Sequence, residues 1–65
     1  MVDGYKKLTN IREKYKYSHQ DMAMLLGISQ GFYWQIEHKK RRLYYEMAVK
    51  IAAIFNLKPD DLFYE

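Results

Sequence analysis

A helix start, a helix stop and a second helix start follow one another closely between Ser18 and Ser29. Ser18 is a good N-cap residue, and Asp21, three residues later, nearly completes a capping box. Gly27 suits the left-handed conformation in which many helices end, and Ser29 is again a good N-cap. The pattern predicts two short helices, joined by a turn too tight to let them lie antiparallel.

Apolar residues at three- and four-residue intervals extend the helical pattern to both sides of this turn. The third helix is predicted over about residues 29–38, the fourth over 44–55, and a short last helix, with Pro59 in its first turn, over 59–64. The residues expected to face inward are Tyr5, Leu8, Ile11 and Tyr15 in the first helix, Met22, Leu25 and Leu26 in the second, Tyr33 and Ile36 in the third, and Tyr45, Ala48, Ile51, Ala52 and Phe55 in the fourth. The chain is therefore predicted to be all-α, with five helices forming one domain over residues 1–65.

Length and composition exclude several classes of function. The 65 residues include no cysteine, which excludes a disulfide framework, a zinc–thiolate site and a thiol nucleophile. No apolar run approaches the roughly 20 residues of a membrane-spanning helix, and the first residues lack the apolar centre of a signal peptide. We therefore expect a cytoplasmic protein with no membrane partner.

No catalytic pattern is visible either. The sequence has no glycine-rich phosphate loop and no carboxylate pair at a spacing suited to acid–base chemistry. Ser18 and Ser29 are better explained as helix caps than as nucleophiles. Neither His19 nor His38 has partners at metal-ligand spacing in the sequence. We therefore expect no enzyme, no metal site, no cofactor and no small-molecule ligand.

Basic residues are concentrated rather than spread. The net charge is only +3, but four consecutive cations, Lys39 to Arg42, directly follow the predicted third helix. A second basic cluster lies in the first quarter of the chain and consists of Lys6, Lys7, Arg12, Lys14 and Lys16. Such asymmetry suggests that one face of the protein meets a polyanion.

Over residues 8–63 the sequence resembles the phage-repressor, or Cro/XRE-type, helix-turn-helix family. The matching segments are Leu8…Ile11-Arg12-Glu13, Ser18-His19-Gln20-Asp21-Met22-Ala23, Leu26-Gly27-Ile28-Ser29, Ile36-Glu37, Lys40-Arg41, Lys50-Ile51-Ala52 and Asp61-Leu62-Phe63. The resemblance implies a compact lambda-repressor-like domain of five helices. In that fold helices 2 and 3 form the helix-turn-helix, and the third helix lies in the major groove of DNA.

The resemblance also implies roles for individual residues. The implied base contacts are Ser29, Gln30, Gly31 and Gln35, and Trp34 joins them as a candidate because it lies one turn beyond Gln30 on the same face. The implied phosphate contacts are His19, Gln20, Lys39, Lys40, Arg41 and Arg42, and the alternative for His19 is an ordinary surface histidine. Gln30 and Gln35 are the main candidates for base reading, because a glutamine amide can both accept from and donate to adenine. Trp34 either touches thymine methyls and sugars or packs at the rim of the domain.

Arg12 and Glu37 match a family pair that joins the first helix to the end of the third. Lys16 and Lys39 stand where the family often has glycine, so the turns after helices 1 and 3 are expected to be less tight. Tyr44 replaces the usual serine-type cap before helix 4.

Together these features predict a sequence-specific transcriptional regulator, a repressor that binds a palindromic operator in double-stranded DNA as a homodimer. The expected dimer interface consists of Leu57, Leu62, Phe63 and Tyr64; the alternative for Leu62 and Phe63 is that one or both of them close the core. The alternative is a helix-turn-helix module for protein interaction, such as an antitoxin or an adaptor. Binding to duplex DNA that weakens steeply with salt would distinguish the regulator from the adaptor.

Overall fold

The computed structural model describes residues 4–64, and within that range it contains helices and no strand. The ends of the predicted domain, residues 1–3 and 65, lie outside the described part. The helices are α1 (Lys6–Lys14), α2 (His19–Leu26), α3 (Gln30–Glu37), α4 (Tyr45–Ile54) and α5 (Pro59–Phe63). The predicted all-α fold with five helices is therefore confirmed. Among residues 4–64, no helix is long and apolar enough to cross a membrane.

The predicted caps form around the α2–α3 turn. The Ser18 hydroxyl accepts from the Asp21 backbone N–H at 3.0 Å, and the Asp21 carboxylate accepts from the Ser18 N–H at 2.9 Å, which is a complete capping box. Gly27 ends α2 in the left-handed conformation, with φ 71°. The Ser29 hydroxyl accepts from the backbone N–H of Phe32 at 3.1 Å and caps α3. Local chemistry thus fixes where both helices begin and where α2 ends.

The turns after α1 and α3 are tight, and the expectation that lysine would loosen them is wrong. Lys16 and Lys39 adopt left-handed conformations, with φ 60° and 58°. Each turn closes with a backbone bond of Schellman type, from Tyr17 N–H to the Arg12 carbonyl at 3.0 Å and from Lys40 N–H to the Gln35 carbonyl at 2.8 Å. A non-glycine residue in this conformation costs about 1–2 kcal/mol, so the surrounding contacts hold the lysines there.

One hydrophobic core lies between the helices. Its buried apolar residues are Leu8, Met22, Ala23, Tyr33, Ile36, Ala48, Ile51, Ala52, Phe55 and Leu62. Three residues expected inside are exposed instead: Tyr15 by 47%, Leu25 by 56% and Tyr45 by 76%. Leu25 lies just beyond the edge of the face that Met22 and Ala23 bury, and Tyr45 has the correct spacing but is the first residue of α4.

Replacing Lys16 by glycine should stabilise the protein, because glycine adopts a positive φ without steric cost. We expect the free energy of unfolding to rise by up to about 1 kcal/mol, after allowance for the greater freedom of glycine in the unfolded chain. Urea denaturation followed by circular dichroism measures the change. The matched control, Lys14→Gly in the last turn of α1, should destabilise the protein; destabilisation by Lys16→Gly as well would contradict the strained-turn interpretation.

Candidate nucleic-acid interface

Among residues 4–64, the core holds α3 along one side. Tyr33, Ile36 and Glu37 are at most 1% exposed. The outward side of α3 with its cap forms what we call the reading surface, which consists of Ser29, Gln30, Gly31, Trp34 and Gln35. All of these are exposed except Gln35, which is half-buried. The structure thus places the predicted base contacts together on the side of α3 that the core does not use.

Gly31 is not required by the fold. A Cβ atom added there would meet nothing within 4 Å, and its φ is not in the left-handed region. Packing and backbone conformation therefore do not explain why a glycine stands on the outward side of α3. It leaves open space through which a ligand could approach the helix backbone closely.

A buried ion pair holds α3 in place from the inside. The Arg12 Nε donates to Glu37 Oε1 at 2.8 Å, and its Nη2 donates to Glu37 Oε2 at 3.1 Å. The Tyr33 hydroxyl donates to the same Oε1 at 2.7 Å, and Arg12 Nη1 donates to the Tyr17 carbonyl at 2.8 Å. The residues of the predicted pair are therefore in direct contact, and the pair connects α1, the turn that follows it, and the end of α3.

The partners in this ion pair stabilise each other's charged forms. Burial alone would raise the pKa of Glu37, but the hydrogen bonds from Arg12 and Tyr33 and the charge of Arg12 outweigh it, so the pKa lies below its ordinary value of 4.5. Burial would lower the pKa of Arg12, but the contact with Glu37 raises it. Burial and the bond to Glu37 raise the pKa of Tyr33, which stays a neutral donor. The pair is therefore ionised at neutral pH.

The segment before α1 also contacts the end of α3, a contact that no pattern in the sequence predicts. The Tyr5 backbone N–H donates to the Glu37 carbonyl at 3.0 Å. A Cβ atom at Gly4 would lie 2.8 Å from that carbonyl oxygen, so only glycine permits the close approach. Gly4 and Tyr5 therefore help to fix α3, although nothing in a local pattern marks them.

The four cations after α3, Lys39, Lys40, Arg41 and Arg42, are all exposed and form what we call the basic loop. Three of them lie over aromatic rings. Lys39 is 4.9 Å from the ring centre of Tyr5, Arg41 is 4.5 Å from that of Phe32, and Arg42 is 5.5 Å from that of Tyr44. Arg41 Nε also donates to Gln35 Oε1 at 2.9 Å. These contacts hold charged groups beside α3 while leaving them open to solvent.

Trp34 stacks on His38, with ring centres 4.2 Å apart and planes at 26°. Its 42% exposure means that the rest of the indole still faces solvent on the reading surface. The His38 ring lies 6.0 Å from that of His19, the first residue of α2. The next residue, Gln20, is exposed. The start of α2 and the end of α3 thus lie side by side at the edge of the reading surface.

The sequence-based reason for excluding a metal is wrong, because residues distant in the sequence meet in space. One ligand atom each from His19, Glu37 and His38 all lie within 4.8 Å of one another. The charge balance does not favour a cation here, however. Arg12 already occupies the Glu37 carboxylate, and a further positive ion would face its guanidinium across that group. His19 Nε2 lies 3.4 Å from Glu37 Oε2 and, among the described residues, is buried without a hydrogen-bond partner.

Comparisons with known proteins agree with this geometry. A family model described as a helix-turn-helix domain matches residues 5–64. The chain therefore belongs to the XRE-like helix-turn-helix family. It is also 32% identical, over 65 residues, to a protein of Pyrococcus furiosus that is provisionally named as an HTH-type transcriptional regulatory protein. That match covers 95% of this chain but only 20% of the relative, so the chain spans about a fifth of the relative's length.

Removing the negative charge of the ion pair should strongly destabilise the fold. In Glu37→Gln the guanidinium of Arg12 stays buried without a counter-charge, which costs about 3–5 kcal/mol. Such a loss is comparable to the whole stability expected of a domain this small. Urea denaturation followed by circular dichroism measures it, with Glu13→Gln on the exposed side of α1 as the control. A loss below about 1 kcal/mol would show that the pair does not hold α3.

The same pair predicts a dependence of stability on pH. Because the pKa of Glu37 in the folded state lies below its unfolded value of 4.5, the stabilisation is complete above about pH 4.5 and is lost as the pH falls through the folded-state pKa. The free energy of unfolding of the wild type should therefore decrease below about pH 4.5, and that of the folded control Glu13→Gln should decrease in parallel, because both proteins keep Glu37. A wild type whose free energy of unfolding stays constant as the pH falls below about 4.5 would contradict the assignment.

Proposed function

We propose that this protein is a sequence-specific regulator of transcription that binds double-stranded DNA through α3. The observation that carries the proposal is the combination of a reading surface without core contacts and a basic loop fixed at its edge. The family match and the name of the relative support the same function. We further propose that the protein acts in the cytoplasm and has no catalytic activity of its own.

Base contacts are assigned to the reading surface. Gln30 is the first residue of α3 and is exposed, so its amide can approach a base edge when the helix N-terminus enters the major groove. The amide matches the acceptor and donor of adenine. Ser29 and Gly31 allow close approach on either side of it. Trp34 offers the unstacked part of its indole to a thymine methyl or a sugar.

Phosphate contacts are assigned to both edges of the reading surface. On one side, His19 and Gln20 occupy the first turn of α2, where free backbone N–H groups and the helix dipole attract an anion. On the other side stands the basic loop. Contacts of this kind fix the position of the protein on the duplex and supply affinity without reading sequence.

A homodimer on a palindromic site follows from the small size of one reading surface. A single helix contacts few bases, and two copies related by a two-fold axis read half-sites about one helical turn apart. Among the expected interface residues, Tyr64 is 69% exposed, and Leu57 and Phe63 are half-buried. Leu62 is only 2% exposed and lies in the core, so it supports the surface from beneath and cannot contact a partner extensively. We assign the interface to the other three residues.

Repression is the proposed mode of action. A small protein that covers its operator in the major groove obstructs other proteins that need the same DNA. This effect requires only binding, whereas activation requires an additional productive contact.

A protein-interaction module is the second candidate, and one observation favours it. Met24 is 72% exposed and Leu25 is 56% exposed on the outer side of α2, where they line a shallow depression of about 380 Å³ with Tyr15 and Tyr17. An apolar surface of this kind is more usual where another protein binds. Absence of salt-sensitive DNA binding would favour this candidate over the regulator.

Selection from a pool of random duplex DNA tests the proposed function. The wild type should enrich a palindromic sequence and bind it with an affinity that falls steeply with salt, with a slope of about −0.9 for each phosphate contact. Gln30→Ala should reduce discrimination at one base pair of each half-site by about 1–3 kcal/mol and leave the salt slope unchanged. Fluorescence anisotropy with the enriched duplex and its single-base variants measures both quantities.

The matched control is Lys58→Ala, since Lys58 precedes α5, which packs on α1 and α4. It should change neither the discrimination nor the salt slope. Failure of the wild type to enrich any sequence would count against the proposed function. Unchanged discrimination in Gln30→Ala would count against Gln30 as a base contact.

Substitution of Tyr64 should weaken the dimer. Tyr64→Asp places a charge on the proposed interface, and we expect the dimer dissociation constant to rise about tenfold or more in sedimentation equilibrium. Leu25→Asp introduces the same charge on the exposed side of α2 and should leave the constant unchanged. A wild type that sediments as a monomer both alone and on its DNA would refute the dimer.

A further inference from the structure

Arg41 differs from the other cations of the basic loop because it contacts the reading surface itself. Its Nε donates to Gln35 Oε1 at 2.9 Å, and its guanidinium lies 4.5 Å from the ring centre of Phe32. Phe32 and Gln35 are three residues apart on α3 and therefore lie one above the other on the same flank of the helix. The guanidinium plane is thus held at two points along α3, although Arg41 itself follows the helix.

We propose that Arg41 reads a guanine in the major groove, with Gln35 as the residue that positions it. This inference rests on the proposed function and changes two of its details. Arg41 becomes a base contact instead of a phosphate contact, and Gln35 acts through Arg41 instead of reading adenine alone.

The chemistry of the guanidinium supports this role. Its Nε is occupied by Gln35, and its terminal nitrogens, Nη1 and Nη2, take part in no side-chain hydrogen bond among residues 4–64. A pair of parallel N–H donors on a rigid plane matches the O6 and N7 acceptors of guanine, which is the most common specific contact between proteins and DNA. Because the plane is already fixed, little rotamer freedom is lost when the contact forms.

The hydrogen bond and the burial of Gln35 also support the proposal that it positions Arg41. An amide that reads adenine uses its oxygen and its nitrogen together. In Gln35 the oxygen already accepts from Arg41, and the side chain is half-buried. The amide is therefore better placed to orient Arg41 than to meet a base edge by itself.

The gap at Gly31 provides room for such a contact. Gly31 and Gln35 are four residues apart, so they lie on the same outward face of α3. A Cβ atom at Gly31 would meet nothing within 4 Å, so no side chain obstructs the approach of DNA next to Gln35. A base edge that enters this gap comes alongside the flank on which the Arg41 guanidinium is held.

Charge and reading can be separated by replacing Arg41 with lysine, which keeps the charge and loses the planar fork. Selection from random duplex DNA is carried out with the wild type, Arg41→Lys and the control Lys58→Arg. We expect Arg41→Lys to lose about 5- to 150-fold of discrimination at one G·C pair of each half-site and to keep the wild-type salt slope. Lys58→Arg is also a charge-preserving exchange, but it lies just before α5 and outside the reading surface and the basic loop, so it should keep the full preference.

The positioning role of Gln35 has its own test. Gln35→Ala should lose preference at the same G·C pair as Arg41→Lys, whereas Gln35→Glu retains an acceptor for Arg41 Nε and should keep that preference, with weaker overall affinity. If Gln35 reads adenine alone, both variants should instead lose preference at a different, A·T pair. Circular dichroism and thermal unfolding check that each variant is folded.

Replacing the selected guanine by 7-deazaguanine removes the N7 acceptor. This change should weaken binding of the wild type by about tenfold and leave Arg41→Lys nearly unaffected. Enrichment of a sequence by the wild type with unchanged preference in Arg41→Lys would overturn this inference while leaving the proposed function intact. Enrichment of no sequence by the wild type would overturn both.

Discussion

The position of α3 depends on a single buried carboxylate. Glu37 accepts hydrogen bonds from Arg12 on α1 and from Tyr33 one turn earlier on its own helix, and its backbone carbonyl accepts from Tyr5. Arg12 in turn binds the carbonyl of Tyr17, just before α2 begins. A buried ion pair contributes little net stability compared with apolar packing. Its role here is geometric, because the hydrogen bonds from Arg12 and Tyr33 set the direction of the Glu37 side chain and connect the end of α3 to α1.

This arrangement divides α3 between two tasks. Tyr33, Ile36 and Glu37 face inward and fix the helix, while Gln30, Gly31 and Trp34 face outward and make few contacts with the rest of the chain. The outward residues can therefore change without loss of the fold, which is what a family of proteins needs if its members are to recognise different ligands on one scaffold. The inward residues cannot change independently, since each of them touches either the core or the buried carboxylate.

The parts of the structure that sequence predicted well are local. Ser18 and Ser29 cap the helices because a serine hydroxyl reaches a backbone N–H three residues ahead whatever the tertiary fold. The meeting of His19 with Glu37 could not be foreseen in this way, because it depends on how α2 packs against α3. The exposure of Leu25 could not be predicted, because the spacing of apolar residues indicates which side of α2 is buried but not how wide the buried face is. The contact between Arg41 and Gln35 was missed because it requires the chain to reverse within six residues.

That reversal is made by Lys39, and it connects the strained backbone with the proposed function. With φ 58°, Lys39 lets the next backbone N–H bond to the Gln35 carbonyl at 2.8 Å, which turns the chain back along α3. Arg41 then lies against the side chain of the same glutamine. Glycine would make this turn with less strain, but it would remove the charge that lies 4.9 Å from the ring centre of Tyr5. Lysine at this position is strained relative to glycine, but its cation contacts Tyr5 and so connects the basic loop to the segment before α1. Lys16 and Asn56 adopt the same left-handed conformation after α1 and α4, so this strain is a feature of several helix ends in the fold, and at Lys39 the turn that carries it also places Arg41 beside α3.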